Sequence, residues 1–383
     1  MEQFAQAFVP IASTNDALCN YLTAGSVLVA ITAQFSRHGS KVLRLTLPMG
    51  LGLLLLLYCY ATSVWSIFPS TTLTALRTQI PYLVVFVGLA PLVLQELRDL
   101  EDCLNSVIIS SMVSLTGIVL FATWGSRGIM IAGWEANPLA LAQVAGALLI
   151  VATLTGQVRK MLPRTWIAAL VAIGITCLVI FIRTAARGQT MAAFAIILAF
   201  SLAGKNKYWV PIVLLGVVAL FGSGLMEEEI ATNAARWDRD KMQGDMDDGR
   251  VDVALQLIRF WSSREVPQLV LGLGHAASQD PRLLGGYPHV VPLEVLAEEG
   301  ILGFMIYVSA VGVAARYYLR AQGQYLGQAK PIVRVIWALF VFEFVLTFKQ
   351  GTLLGAASFL LLLVLPGVLT RKNFTSTQDS RAG

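Results

Sequence analysis

Apolar runs of about twenty residues, separated by short polar breaks, recur along nearly the whole chain. Runs of that length match the thickness of a bilayer core, and a helix is the structure that satisfies its own backbone there. The pattern predicts eleven spans, near residues 16–35, 45–65, 78–97, 104–123, 137–157, 166–182, 188–203, 208–225, 290–315, 332–348 and 353–370. FAQAFVPIA at residues 4–12 is apolar too, but too short to cross alone. Residues 226–289 break the rhythm as a long, charged insertion. Structureless loops beyond about 15 residues are uncommon unless functional or disordered, and this one is patterned. Ala254, Leu257, Ile258 and Trp261 repeat at helical spacing behind Arg250, and LVLGLGH then supplies a glycine-rich turn. The expected architecture is therefore an all-α polytopic membrane bundle. Residues 1–225 hold eight helices, 226–289 a helical loop domain, 290–370 three more helices, and 371–383 a tail.

Composition agrees with the pattern. Hydrophobic residues make up 56% of the 383 and charged residues 13%, against roughly 25% charged in a soluble domain. The net charge of +5 would suit a nucleic-acid binder, but its distribution points to membrane topology instead. Fifteen Lys and Arg fall in SRHGSKVLR, QVRKMLPR, GKNK, the stretch from Arg316 to Arg334 and the tail beginning at Arg371, and Arg98 adds a sixteenth. The short alternate loops carry five: Arg77, Arg127, Arg183, Arg187 and Lys349. The positive-inside rule sends the first group to the cytoplasm, with the N-terminus and the 226–289 insertion outward. Cys19, Cys59, Cys103 and Cys177 lie in or beside apolar segments without C-x-x-C spacing and read as small core residues. No basic n-region of a signal peptide precedes Arg37.

Charge placed against this pattern marks the candidate chemistry. FIRTAARGQT, residues 181–190, puts Arg183 and Arg187 in an outward turn, four apart, where a continuing helix would give them one face. Gly188 permits close backbone approach there, and guanidinium forks suit a diphosphate. Arg250 heads the loop helix. GYPHVVPLEVLAEEGILG, residues 286–303, sets His289, Glu294, Glu298 and Glu299 at the entry to a span, where carboxylates are costly and usually functional. Each also has a plainer reading: arginines reaching lipid phosphates, a solvated helix-end charge, a hydrogen-bonding histidine. Asp245, Asp247 and Asp248 in GDMDDG lack the full spacing and distal Glu of a calcium loop, so no metal site is expected. No P-loop, dinucleotide fingerprint or Ser–His–Asp elbow is present.

Taken in order, the ARGQ turn, the loop helix opening on Arg250, the G-x-G turn and His289 followed eleven residues on by Gly300-x-x-Gly303 resemble the O-antigen ligase and polymerase superfamily. SVWSIFPS (63–70) and ANPLALAQ (136–143) resemble that family's first outward loop and a mid-chain span entry, so the likeness runs over most of the chain. Val290 departs from the small polar residue common after the histidine.

The resemblance implies a bundle of eleven or twelve helices with a large periplasmic loop in a bacterial inner membrane. It implies an inverting, metal-independent GT-C type glycosyltransferase that needs no cofactor. The donor would be a glycan on undecaprenyl diphosphate, and the acceptor a lipid A-core sugar hydroxyl or another glycan; nucleic acid has no part. Arg187 and Arg250, with Arg183 as a third, would hold the diphosphate; His289 would be the base, and Glu298 would orient it or share its role. The compact length and the His-to-G-x-x-G spacing fit a ligase. A polymerase joining carrier-linked repeat units is the alternative within the family. A transporter is the alternative outside it, with Glu343 inside the tenth span as its best candidate residue.

Overall fold

The computed structural model describes residues 29–37, 39, 45–94, 97–125, 128–131, 134–156, 164–184, 186–203, 250–284, 289–324, 329–349 and 351–369. The chain is mostly helical. Among the described residues, four helices are long and apolar enough to cross a membrane: Leu47–Trp65, Arg98–Phe121, Pro138–Thr155 and Gly300–Gln324. Shorter apolar helices cover Ala168–Thr184, Arg187–Leu202 and Ala357–Leu369. The predicted spans near 16–35 and 208–225 fall mostly or wholly outside the described residues, as do Asp245, Asp247 and Asp248.

Two compact units partition the chain. One comprises Met1–Ala24, Leu100–Met242 and Gly327–Phe342; the other comprises Gly25–Asp99, Gln243–Leu326 and Glu343–Gly383.

The first unit is built on α4 (Pro138–Gly156), α5 (Arg164–Thr184) and α6 (Arg187–Leu202), which follow α3 (Leu97–Phe121). Asn137 accepts hydrogen bonds from the backbone N–H groups of Leu139 and Ala140 through Oδ1, capping α4. Leu148, Ile150, Val151 and Ala152 are buried on α4, and Cys177, Ile180 and Phe181 on α5. Gly146 leaves room for the Phe342 ring, where a Cβ would lie 2.6 Å from Cζ. Between α3 and α4 runs a feature the all-α expectation did not contain. It is a three-stranded antiparallel meander of β1 (Thr123–Gly125), β2 (Gly128–Ile131) and β3 (Trp134–Ala136).

The second unit contains the helices that frame the candidate site. α1 (Leu47–Thr62) follows Thr46, with Pro48 in the first turn, where a missing N–H costs nothing. Its buried residues Met49, Gly52, Leu55, Leu56, Cys59 and Thr62 form one stripe, yet Leu54 and Leu57 on the far side are exposed. A helix apolar on both sides with leucines facing out is suited to hydrocarbon. α2 (Pro69–Leu83) runs on through a π-helical turn at Val84–Leu89. α7 (Arg250–Ser262) and α8 (Val266–Leu271) come from the long insertion. Ala254 and Leu257 are buried, with Ile258 and Trp261 partly so, as the helical spacing in that stretch predicts.

The expected span at 290–315 is two helices. α9 (Val291–Glu298) stops at Glu299, and α10 (Gly300–Gln324) starts on Gly300 with a φ of 68°. A left-handed residue ends one helix and re-aims the next, so the apolar span begins about ten residues later than the hydropathy pattern indicates. α10 packs through Gly303, Tyr307, Ala310, Ala314, Tyr318 and Ala321, mostly small residues that let helices approach closely. α11 (Ala329–Leu346) and α12 (Ala357–Val364) follow.

Candidate functional site

The stretches singled out in the second unit interlock through their backbones. The turn after α8 runs through Gly272 and Gly274, both at positive φ (90° and 96°). Its Leu273 and Gly274 N–H groups donate to the carbonyls of Ala297 (3.0 Å) and Glu298 (2.9 Å) at the end of α9. On its other side, the Leu273 carbonyl accepts from Ile67 N–H (3.1 Å), and the His275 carbonyl accepts from Thr72 Oγ1 (2.6 Å). A Cβ on Gly272 would collide with the Glu298 carbonyl, and one on Gly300 with the Gly272 nitrogen and the Val270 carbonyl. The G-x-G turn and the G-x-x-G after His289 are thus two halves of one close approach. Gly303 completes it, since a Cβ there would lie 2.9 Å from Cε1 of Tyr58 on α1. Leu257, Leu273, Ala277 and Ala297 form the apolar core beneath, with Ile67, Phe68, Phe260 and Trp261 packed on it.

Ionisable groups concentrate inside this junction. Glu298 accepts hydrogen bonds from the backbone N–H of Ala276 (2.8 Å, to Oε2) and Ser278 (2.7 Å, to Oε1), so both its oxygens clamp the turn. Glu299 accepts from Thr62 Oγ1 (2.5 Å) and pairs with His275 Nδ1 (2.9 Å). The same nitrogen is 3.9 Å from Glu298 Oε2. His275, Glu298 and Glu299 are each 1% exposed. Burial opposes charge on His275, but the hydrogen bond and charge of Glu299, with Glu298 behind it, hold its pKa above the ordinary value. Burial pushes the Glu298 carboxyl up, against the lowering by His275 and the Ser278 bonds. Nearby, Asp280 is chelated by Arg282 (2.8 Å to each of two nitrogens) and bonded by Thr71 Oγ1 (2.7 Å). Arg282 also lies 4.7 Å above the Phe68 ring.

The residues expected to act fall in different places. His289 is half-buried two residues before α9 and has a φ of 54°, a left-handed conformation few non-glycine residues adopt. Two residues on, the Val291 N–H donates to the Thr347 carbonyl (2.8 Å) and pins the start of α9. Glu298 shares its surroundings with His275 and has its oxygens committed to backbone. Arg183 and Arg187 belong to the first unit. The turn expected between two apolar spans is present: Arg183 is in the last turn of α5, its guanidinium 5.1 Å from the Trp124 ring, and Arg187 is the first residue of α6. Their four-residue spacing therefore does not put them on one helical face. Arg250 opens α7 in the second unit.

Sequence reasoning did not single out His275, Cys59 or Thr62. The only hint was a histidine directly behind the G-x-G turn and a Glu–Glu pair before Gly300; the partner on α1 lies more than two hundred residues away in sequence. No protein-family model matches the chain, and no curated protein matches it.

Proposed function

We propose that the protein is a membrane glycosyltransferase of the O-antigen ligase kind. It moves a glycan from undecaprenyl diphosphate to a lipid A-core sugar hydroxyl on the periplasmic face of a bacterial inner membrane. The observation that carries this reading is the junction itself. SVWSIFPS, the G-x-G turn and the G-x-x-G that follows His289 resemble family motifs, are far apart in sequence, and share one hydrogen-bonded platform. The apolar helix α10 leaves directly from that platform. Such a place brings an aqueous sugar and a lipid-borne diphosphate to the same depth.

In this reading, arginines stabilise the negative charge that grows on the diphosphate as the glycosidic bond breaks; Arg250 is the candidate in the second unit, and Arg187, with Arg183, in the first. His289 accepts the proton of the attacking hydroxyl. Attack from the face opposite the leaving diphosphate inverts the anomeric carbon. The charge on the leaving group is met by fixed arginines, so the step is assigned no metal. Glu298 has a supporting part: with both oxygens on the turn, it fixes the frame from which His289 is presented.

The test is deletion of the gene in its native host, with gel analysis of lipopolysaccharide and of the carrier-linked pool. Long glycan stranded on the carrier beside bare core supports a ligase. Core bearing a single repeat unit replaces it with a polymerase. An unchanged ladder in both pools removes the glycosyltransferase reading.

A further inference from the structure

Three ligand-type groups from three segments converge inside the platform. Cys59 Sγ on α1, the imidazole of His275 behind the glycine turn and the carboxylate of Glu299 before α10 lie within 4.8 Å of one another. Cys59 is fully buried and the other two are 1% exposed. A cysteine, a histidine and a carboxylate could be a nucleophile, its base and the acid that orients it. Burial rules this out, because no face of the thiol is open to a substrate.

We propose instead that Cys59, His275 and Glu299 bind a single zinc-type dication. One sulfur, one nitrogen and one oxygen donor is a set that borderline transition dications prefer, whereas calcium and magnesium take oxygen ligands. Zinc holds these atoms at about 2.0–2.3 Å, which places neighbouring ligand atoms about 3.3–3.8 Å apart. The His275–Glu299 pair, a hydrogen bond at 2.9 Å, would open by about 0.5 Å around an ion, and a separation of up to 4.8 Å would close by about 1 Å.

The pocket also supplies an outer contact: Thr62 Oγ1 bonds Oε2 of Glu299, the kind of hydrogen bond that orients a metal ligand.

With no exposed face, such an ion is a staple. It would join α1, the glycine turn and the start of α10, and it takes no part in glycan transfer. The proposal therefore stands whether or not the glycosyltransferase reading does.

The test uses the full-length, tag-free protein in detergent, stripped by chelator and titrated with zinc. The expected result is one retained equivalent by elemental analysis, with a rise in the thermal unfolding midpoint. Cys59→Ser, His275→Gln and Glu299→Gln should each weaken retention about tenfold or more. Cobalt loaded into the unmutated chain should show a sulfur-to-cobalt charge-transfer band. That spectrum decides the matter even where a variant fails to fold. Substoichiometric retention overturns the site, as does retention that survives the three substitutions, or a cobalt spectrum without the charge-transfer band.

Discussion

At the scale of single residues, glycine geometry carries the clearest consequences. Gly300 combines a φ of 68° with a neighbour that leaves no room for a Cβ. The backbone conformation alone costs a non-glycine residue about 1–3 kcal/mol, before the collision with the Gly272 turn. Gly300→Ala should therefore lower the thermal midpoint and folded yield in detergent, while alanine at Gly312, where nothing lies within 4 Å, should be tolerated. Equal stability of the two variants would mean that the break before α10 is not formed. Asp280 offers a pH test. The Arg282 fork, followed by the Thr71 hydroxyl, holds its carboxyl well below the usual value. A depressed carboxylate pKa favours the folded state above the unfolded value, about 3.9 for Asp, and that contribution fades as pH falls through the lower folded pKa. Between about pH 5 and pH 3, unfolding midpoints of the wild type should fall more steeply than those of Asp280→Asn. Parallel curves would show that the pair does not bias folding.

At the scale of elements, the legible and illegible parts separate on physical grounds. Clean apolar runs such as α1 and α4 are visible in the sequence because length and hydropathy alone decide them. So is the loop helix α7, whose buried residues keep a helical period. The break at Glu299–Gly300 is hidden because VLAEEGILG reads as one continuous helix, and only the positive φ separates its halves. The β-meander at 123–136 is hidden because its strands are three or four residues long and glycine-interrupted, too short for alternation to register. The His275–Glu299 pair and its Cys59 neighbour depend on α1 meeting a segment more than two hundred positions away, which no local pattern reports.

The proposed chemistry also belongs to element ends, since Arg187 begins α6, Arg250 begins α7 and His289 precedes α9. His289→Ala should lower transfer about a hundredfold or more, the scale of a lost general base. Arg187→Ala should do so on the scale of a lost charge-stabilising donor. Both proteins should still insert at wild-type levels. Arg250→Lys should be nearly as impaired as Arg250→Ala, because a lysine cannot present a bidentate fork. Full activity in the lysine variant would leave Arg250 as a simple point charge.

At the scale of the whole molecule, the charge distribution makes a definite prediction about sidedness. Sixteen Lys and Arg fall on one set of loops together with the tail and five on the short alternate loops, an asymmetry that orients helices during insertion. The basic stretches at 157–164 and 316–334 should therefore face the cytoplasm. The 226–289 insertion should face outward with the platform built on it. This orientation matters because the proposed donor and acceptor meet only on the periplasmic face. Single cysteines placed in each loop of a background lacking the four native ones can be labelled in intact cells with a membrane-impermeant maleimide. Cys59→Ser in that background also removes one ligand of the proposed ion, so alternating alkaline-phosphatase and fluorescent-protein fusions should be run in parallel on the unmutated chain. Labelling at 226–249 with protection at 325–328 would put the platform where a periplasmic transferase needs it. The reverse pattern would place His289 and the loop helix in the cytoplasm, and a ligase or polymerase acting on translocated glycan could not work from there.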